Sequence, residues 1–359
     1  MNLDNLQSMH KLDPQNLLGE IDNLPDQLES AWQLGQTQPL PLADGFDPSR
    51  SLRQVIISGM GGSAIGADLL AGYIASSCPI PVIVHRDYGL PAWACSPETL
   101  VIASSHSGNT EETLEVFNTA LKNKCQVMAI ATGGKLAERA AKAKISHWKF
   151  EHKGQPRAAV GFSFGLLLAV FSRMGLIPDP AVELAGAVVA MKIQQAALRA
   201  DVLVTGNPAK RLAGQLVGRW VNVYGSGCLT PVARRWKGQI NEIAKAGAGF
   251  EVLPEADHNA LAGTVNPSDL LSRTMTLFLR APSDHPRNRL RLDLTRQGFM
   301  VEGLNTDFYE AQGESPLAHI WTTLHFGDYT AYYLAMAYGA DPTPVDALEN
   351  FKAAMKAAR

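Results

Sequence analysis

Val55-Ile56-Ile57-Ser58-Gly59-Met60-Gly61-Gly62-Ser63-Ala64-Ile65-Gly66 sets a short apolar run against a glycine-rich turn and the start of a helical segment. A strand covered on both faces by helices reads as such a continuous run. Three similar runs follow: Val82-Ile83-Val84, Leu100-Val101-Ile102-Ala103 and Val127-Met128-Ala129-Ile130. Residues 64–76, 111–124 and 135–144 lie among them with helical spacing. This is βαβ alternation, and it predicts an α/β fold built on a doubly wound, mainly parallel sheet.

Outward from that block the pattern repeats. A largely helical stretch covers residues 160–219. Strand-length runs then return at Trp220-Val221-Asn222-Val223-Tyr224, Phe250-Glu251-Val252-Leu253, residues 274–279 and Phe299-Met300-Val301. Helical segments 234–245, 287–297 and 317–338 lie between or after them. Tyr224-Gly225-Ser226-Gly227 is a counterpart of the first glycine-rich turn. Upstream, Asn16-Leu17-Leu18-Gly19-Glu20-Ile21 and Leu28-Glu29-Ser30-Ala31-Trp32 suggest helices, and Pro39, Pro41, Gly45 and Pro48 punctuate a linker. The expected organisation is a helical N-terminal extension (1–48), a first subdomain (49–180), a helical connector (181–219) and a second subdomain with C-terminal helices (220–359).

The 359 residues are enough for roughly two domains. Apolar residues make up 46% and charged residues 18%, which favours a buried core over disorder. Lys+Arg 32 against Asp+Glu 34 leaves a net charge of −2, which recommends neither nucleic acid nor an anionic membrane as partner. Any anion must be gripped locally. No basic n-region with an apolar core opens the chain, so no signal peptide is expected. The longest charge-free run, residues 158–172, falls short of the roughly 20 apolar residues of a spanning helix and reads as a buried helix. Cys78, Cys95, Cys125 and Cys228 lack metal-ligand spacing and read as small core residues in a reducing cytoplasm. No metal site is expected.

A second turn, Ala103-Ser104-Ser105-His106-Ser107-Gly108-Asn109-Thr110-Glu111-Glu112-Thr113, again joins a strand end to a helix start. Ser105, Ser107 and Thr110 offer three hydroxyls, and Gly108 lets the backbone curl. Hydroxyls and helix-start amides together can satisfy the oxygens of a phosphate without a lysine. Both turns fall where open α/β sheets bind ligands. Gly59, Gly61 and Ala64 nearly supply a dinucleotide fingerprint, which keeps a nicotinamide-dependent dehydrogenase as a rival. The acidic residue that fingerprint needs about 20 positions on is missing.

Gly59-Met60-Gly61-Gly62-Ser63 with Ser105-His106-Ser107-Gly108-Asn109-Thr110 resembles the sugar isomerase (SIS) domain family. Further segments narrow the resemblance: Pro156-Arg157-Ala158-Ala159, Lys237-Gly238-Gln239-Ile240-Asn241-Glu242, Pro254-Glu255-Ala256-Asp257-His258-Asn259, Gly327-Asp328-Tyr329, and Gly339-Ala340-Asp341-Pro342. In that order they look like the bifunctional phosphoglucose/phosphomannose isomerases. The resemblance implies two SIS-type subdomains and interconversion of glucose 6-phosphate, and of mannose 6-phosphate, with fructose 6-phosphate. Gly61, Gly62, Ser63, Ser105, Ser107 and Thr110 would hold the substrate phosphate. Arg157 would stabilise the enediolate, Glu242 would be the base, and His258 would open the sugar ring from the neighbouring subunit of a homodimer. Lys352 would assist ring opening, with Lys356 one helical turn away as the alternative. Ile243, Ala260 and His106 depart from the family pattern, which touches substrate preference more than reaction class.

Elementary chemistry agrees with those roles. Isomerisation moves a proton between C2 and C1 through a cis-enediol, so one carboxylate can serve both carbons. Charge on the enediolate oxygen calls for a fixed cation, which an arginine supplies at any working pH. Ring opening calls for a proton shuttle, and histidine suits it. Neither a metal nor a cofactor is required. Outside the ordered set, Glu242, His258 and Arg157 would each read as ordinary loop or surface residues. A non-catalytic sugar-phosphate sensor and an isomerase of another phosphosugar remain the other rivals. The aromatic series Tyr329, Tyr332, Tyr333 and Tyr338 has helical spacing and is expected in the core or at a dimer contact.

Overall fold

The computed structural model describes residues 2–40 and 48–358. Three helices come first: α1 (Leu6–Leu12), α2 (Leu17–Asp22) and α3 (Leu24–Thr37). Asp13 starts α2, its carboxylate accepting from the amides of Leu17 at 2.8 Å and Leu18 at 3.0 Å. That satisfies donors a helix start leaves bare. Leu24, Leu28 and Ala31 form the buried face of α3. At Gly35 a Cβ would lie 2.4 Å from Ala169 Cβ, so glycine permits the close packing there. Of the linker residues, Pro41 and Gly45 lie outside the described residues, and Pro48 opens a short helix, α4 (Pro48–Ser51).

The first sheet follows as β1 (Gln54–Ser58), α5 (Gly61–Ile74), β2 (Val82–His85), β3 (Thr99–Ser104), α6 (Glu111–Lys122), β4 (Gln126–Ala131), α7 (Gly134–Ala143) and β5 (His147–Lys149). Its strand order is β2-β1-β3-β4-β5 and every pair is parallel. The four apolar runs are β1 to β4. β5 is too short and polar for that signal, although Trp148 is fully buried. Helices α8 (Val160–Arg173), α9 (Ala181–Gln195) and α10 (Pro208–Leu216) come next, α8 being the buried charge-free run.

The second block runs β6 (Trp220–Ser226), α11 (Thr230–Glu242), β7 (Ala248–Leu253), α12 (Ser268–Ser272), β8 (Thr274–Arg280), α13 (Pro286–Val301), β9 (Asn305–Glu310), α14 (Pro316–Tyr338) and α15 (Asp346–Ala357). Its order is β7-β6-β8-β9, again all parallel. One strand expectation is overturned. Phe299-Met300-Val301 is the last turn of α13, with Phe299 buried while Met300 and Val301 are exposed, a helical pattern. The strand is the polar Asn305-Thr306-Asp307-Phe308-Tyr309-Glu310, which lies at the sheet edge and needs no apolar run.

A single apolar cluster runs from Leu17 and Ile57 through α8 and α14 to Val223 and Leu277, so the two sheets share one core. Every residue of α14 from Leu317 to Met336 is buried, which explains its lack of a polar stripe. Tyr329, Tyr332 and Tyr333 are therefore core packing, whereas Tyr338 is exposed and accepts from the Gly218 amide at 2.7 Å. α15 buries none of its residues and leaves Leu348, Phe351 and Met355 exposed. All four cysteines are free thiols: Cys78, Cys125 and Cys228 are half-buried and pack against the core, whereas Cys95 departs from expectation and is exposed. Among the described residues no helix is long and apolar enough to cross a membrane.

Candidate active site

The two turns read from sequence lie side by side, because β1 and β3 are neighbours with Ser58 paired to Ala103. The strand order reverses there, with β2 on the far side of β1, which is where such sheets open a crevice. Gly61 opens α5 with φ +51°, a left-handed conformation suited to glycine. Gly108 has φ +65°, and a Cβ on it would lie 1.8 Å from the Gly133 carbonyl oxygen. The turns are tied together: the His106 amide donates to Ser63 Oγ at 3.1 Å, and Ser105 Oγ bonds Thr110 Oγ1 at 2.9 Å. Ser63 and Ser105 are buried, whereas Ser107 and Gly61 face solvent. Neither α5 nor α6 has a side-chain cap, and the start of a helix favours an anion.

The first turn abuts the turn that carries Arg157. A Cβ on Gly62 would lie 2.4 Å from the Pro156 carbonyl oxygen, so only glycine allows the approach. Arg157 sits in a single 3-10 turn, Pro156–Ala158, just before α8. Its Nη2 donates to the carbonyl oxygens of Pro342, at 2.9 Å, and Thr343. Its Nη1 lies 3.6 Å from Glu242 Oε2, the last residue of α11. Arg157 Nε and Thr343 Oγ1 are buried and make no hydrogen bond among the described residues.

A second arginine supports the first. Arg235 Nη2 donates to the Arg157 carbonyl oxygen at 3.1 Å and to Asp328 Oδ2 at 2.6 Å, and Arg235 Nε donates to Asp328 Oδ1 at 3.1 Å. Gln239 Nε2 adds a third donor to Asp328 at 3.0 Å. This explains the Gly327-Asp328-Tyr329 segment, whose carboxylate is structural and buried on α14. Lys245 was given no role by the sequence and belongs to the neighbourhood. Its Nζ donates to the Asp341 carbonyl oxygen at 2.7 Å. Burial first, then the Arg157 charge, push its pKa down to about 8. The signal was its place three residues past Glu242, beyond the helix end with φ +54°.

The structure does not bring every expected residue together. α11 starts at the C-terminal end of β6 and runs back, so Glu242 lies at the edge where β7 begins. His258 follows the other end of β7, in an exposed 3-10 turn, Glu255–His258. Six residues of strand set these two ends roughly 20 Å apart within one chain. Asp257 pins that turn, accepting from Arg291 at 2.8 Å and Thr295 at 2.7 Å. Lys352 and Lys356 are both exposed on α15. Among the described residues no cluster of three His, Cys, Asp or Glu side chains could hold a metal ion.

Comparison with known proteins gives the same pattern a place. Residues 205–355 match a family model described as the bacterial phospho-glucose isomerase C-terminal SIS domain. A bifunctional phosphoglucose/phosphomannose isomerase of Caldicellulosiruptor bescii is 40% identical over 335 residues, 92% of this chain and 96% of that protein. The protein of the same name from Aquifex aeolicus is 33% identical over 303 residues, covering 84% and 90%. Among solved structures, a hypothetical protein from Thermus thermophilus matches with TM-score 0.73 over 98% of this chain and 94% of its own. Its 16% identity makes that a likeness of fold alone. Two parallel sheets with glycine-serine turns at their strand ends, and a matching family model, define a sugar isomerase (SIS) domain protein. Within that class, the chain belongs to the bifunctional phosphoglucose/phosphomannose isomerases.

Proposed function

We propose that this protein interconverts glucose 6-phosphate and mannose 6-phosphate with fructose 6-phosphate, without a metal, by proton transfer through a cis-enediolate. The observation that carries the reading is the Arg157–Glu242 pair set directly against the first glycine-rich turn. The phosphate sits on the amides of Gly61 and Gly62 and the hydroxyls of Ser63, Ser105, Ser107 and Thr110. Anchored there, the sugar places C1 and C2 near the Glu242 carboxylate. That carboxylate takes the proton from one carbon and returns it to the other. Arg157 is held by two carbonyl oxygens and keeps Nε unbonded, which leaves a donor for the enediolate oxygen. Proton removal makes C2 planar, and rotation about C2–C3 turns either face toward the one carboxylate, so that glucose or mannose 6-phosphate forms.

Ring opening falls to His258 of a second copy, assisted by Lys352 or by Lys356 one helical turn away. Three features support this: the two ends of β7 separate His258 from Glu242, His258 is exposed, and α15 carries exposed Leu348, Phe351 and Met355. Apolar side chains in such a stripe favour a partner, and a homodimer supplies one. The two sheets form subdomains at 49–180 and 220–359, with 181–219 as connector and 1–48 as extension. A cytoplasmic location fits four free thiols. The deciding experiment offers fructose 6-phosphate to chelator-treated protein and follows both aldose phosphates by coupled assay. Both should form. Neither forming, with fructose 6-phosphate still bound, would leave a sensor in place of an enzyme.

A further inference from the structure

We propose that Glu20 and His152 are positioning residues for the phosphate-binding turn, acting through His106. This rests on the reading of residues 105–110 as that turn. His106 Nε2 lies 2.9 Å from His152 Nδ1, and His152 Nε2 lies 3.1 Å from Glu20 Oε2. With His152 neutral, one proton order satisfies both contacts against an ionised carboxylate. His152 Nε2–H donates to Glu20, so His152 Nδ1 accepts from His106 Nε2–H. The hydrogen bond from His152 holds the Glu20 carboxyl below its usual range. Burial above all pushes His106 down to about 4. His106 is thus neutral near pH 7, and beside a neutral His152 it carries its proton on Nε2.

Both ends of this relay are anchored. Glu20 belongs to α2, which is fixed to the central helix: His325 Nε2 donates to the Ile21 carbonyl oxygen at 2.8 Å, and the Tyr329 hydroxyl donates to Asp22. The rings are wedged among aromatics, Phe150 lying edge-on to His106 at 5.8 Å and Phe162 to His152 at 6.1 Å. At the other end, the His106 amide donates to Ser63 Oγ at 3.1 Å. Its carbonyl oxygen accepts from the Thr132 amide at 3.0 Å and from Thr132 Oγ1 at 2.8 Å. Fixing the ring therefore fixes the backbone that presents Ser105 and Ser107. Gly154 makes room for the contact: a Cβ there would lie 2.5 Å from Glu20 Oε1 and 2.9 Å from His152 Cε1. The N-terminal helices thus set the affinity of a site to which they contribute no ligand.

The test compares KM and kcat for fructose 6-phosphate in Gly154→Ala, Glu20→Leu, Glu20→Gln and Ser107→Ala, with nitrogen-15 spectra of the His106 tautomer. Gly154→Ala displaces chiefly the flexible end of Glu20, so it decides the matter if Glu20→Leu fails to fold. Breaking the relay is expected to raise KM about tenfold, the scale of one lost charged hydrogen bond, with kcat changed by less than about twofold. His106 should pass from a single Nε2-protonated tautomer to a mixture. Glu20→Gln should restore KM, because its amide oxygen still accepts from His152. Unchanged KM and tautomer in Gly154→Ala and Glu20→Leu, beside a raised KM in Ser107→Ala, overturn the relay and leave the phosphate reading standing. An unchanged KM in Ser107→Ala removes the turn itself, and the proposal with it.

Discussion

Arg157 Nη1 and Glu242 Oε2 face each other across 3.6 Å, the guanidinium buried and the carboxylate one-third exposed. The cation is therefore the fixed member of the pair and the carboxylate the one open to a substrate. Arg157→Lys tests the fixed member. A lysine cannot reach Pro342, Thr343 and Glu242 at once, and its charge is no longer presented in a rigid plane. Turnover should fall by about a hundredfold to a thousandfold, the cost of losing one preorganised donor to a developing oxyanion. Steady-state kinetics on fructose 6-phosphate measures it. A kcat near wild type would detach Arg157 from the enediolate.

The support behind Arg157 should be visible as stability. Asp328 neutralises buried Arg235 with two hydrogen bonds, and Asp328→Leu leaves that guanidinium unpaired. The expected loss is about 3–5 kcal/mol by urea unfolding. Adding Arg235→Met should recover most of it, since no buried charge is then left alone. If the double variant is no better than the single, the pair is not the source of the loss.

Acid should weaken the fold through His106. Its folded pKa, about 4, lies below the unfolded value near 6.5, so the unfolded chain binds more protons in between. The contribution is complete above the unfolded value and is lost as pH falls through that window toward about 4. Urea midpoints from pH 7.5 to 5 should therefore decline in the wild type and decline less in His106→Gln. Equal slopes would show that His106 titrates alike in both states.

Much of this arrangement is legible in the sequence, for identifiable reasons. Strands buried on both faces read as apolar runs, which is why β1 to β4 stand out while the polar edge strand β9 hides behind Phe299-Met300-Val301. The turns are legible because glycines and hydroxyls cluster within a few positions at strand ends. The relay is not, because Glu20, His152 and His106 come from three distant segments and meet only through packing. Lys245 is hidden for the same reason: its lowered pKa arises from burial beside Arg157. Cys95 misled because thiol spacing says nothing about exposure, and it lies on the surface.

The dimer reading makes a sharp prediction about mixtures. Glu242→Gln and His258→Gln should each be inactive alone, since each site takes one residue from either chain. Refolded together at equal amounts they should regain about one quarter of wild-type activity, because half of the dimers are hybrids and each hybrid holds one intact site. No recovery in proven hybrids would place both residues in one chain.

The most direct test follows the proton itself. Glucose 6-phosphate deuterated at C2 is offered to wild type and to Glu242→Gln, and the label is traced to C1 of fructose 6-phosphate and to water. Wild type should move the label to both destinations. Glu242→Gln should bind the sugar phosphate with nearly unchanged affinity while label movement falls at least about a hundredfold, the lower end for losing a general base. Label movement at the wild-type rate in Glu242→Gln would contradict Glu242 as the base and, with it, the reaction centre described at the Arg157–Glu242 pair.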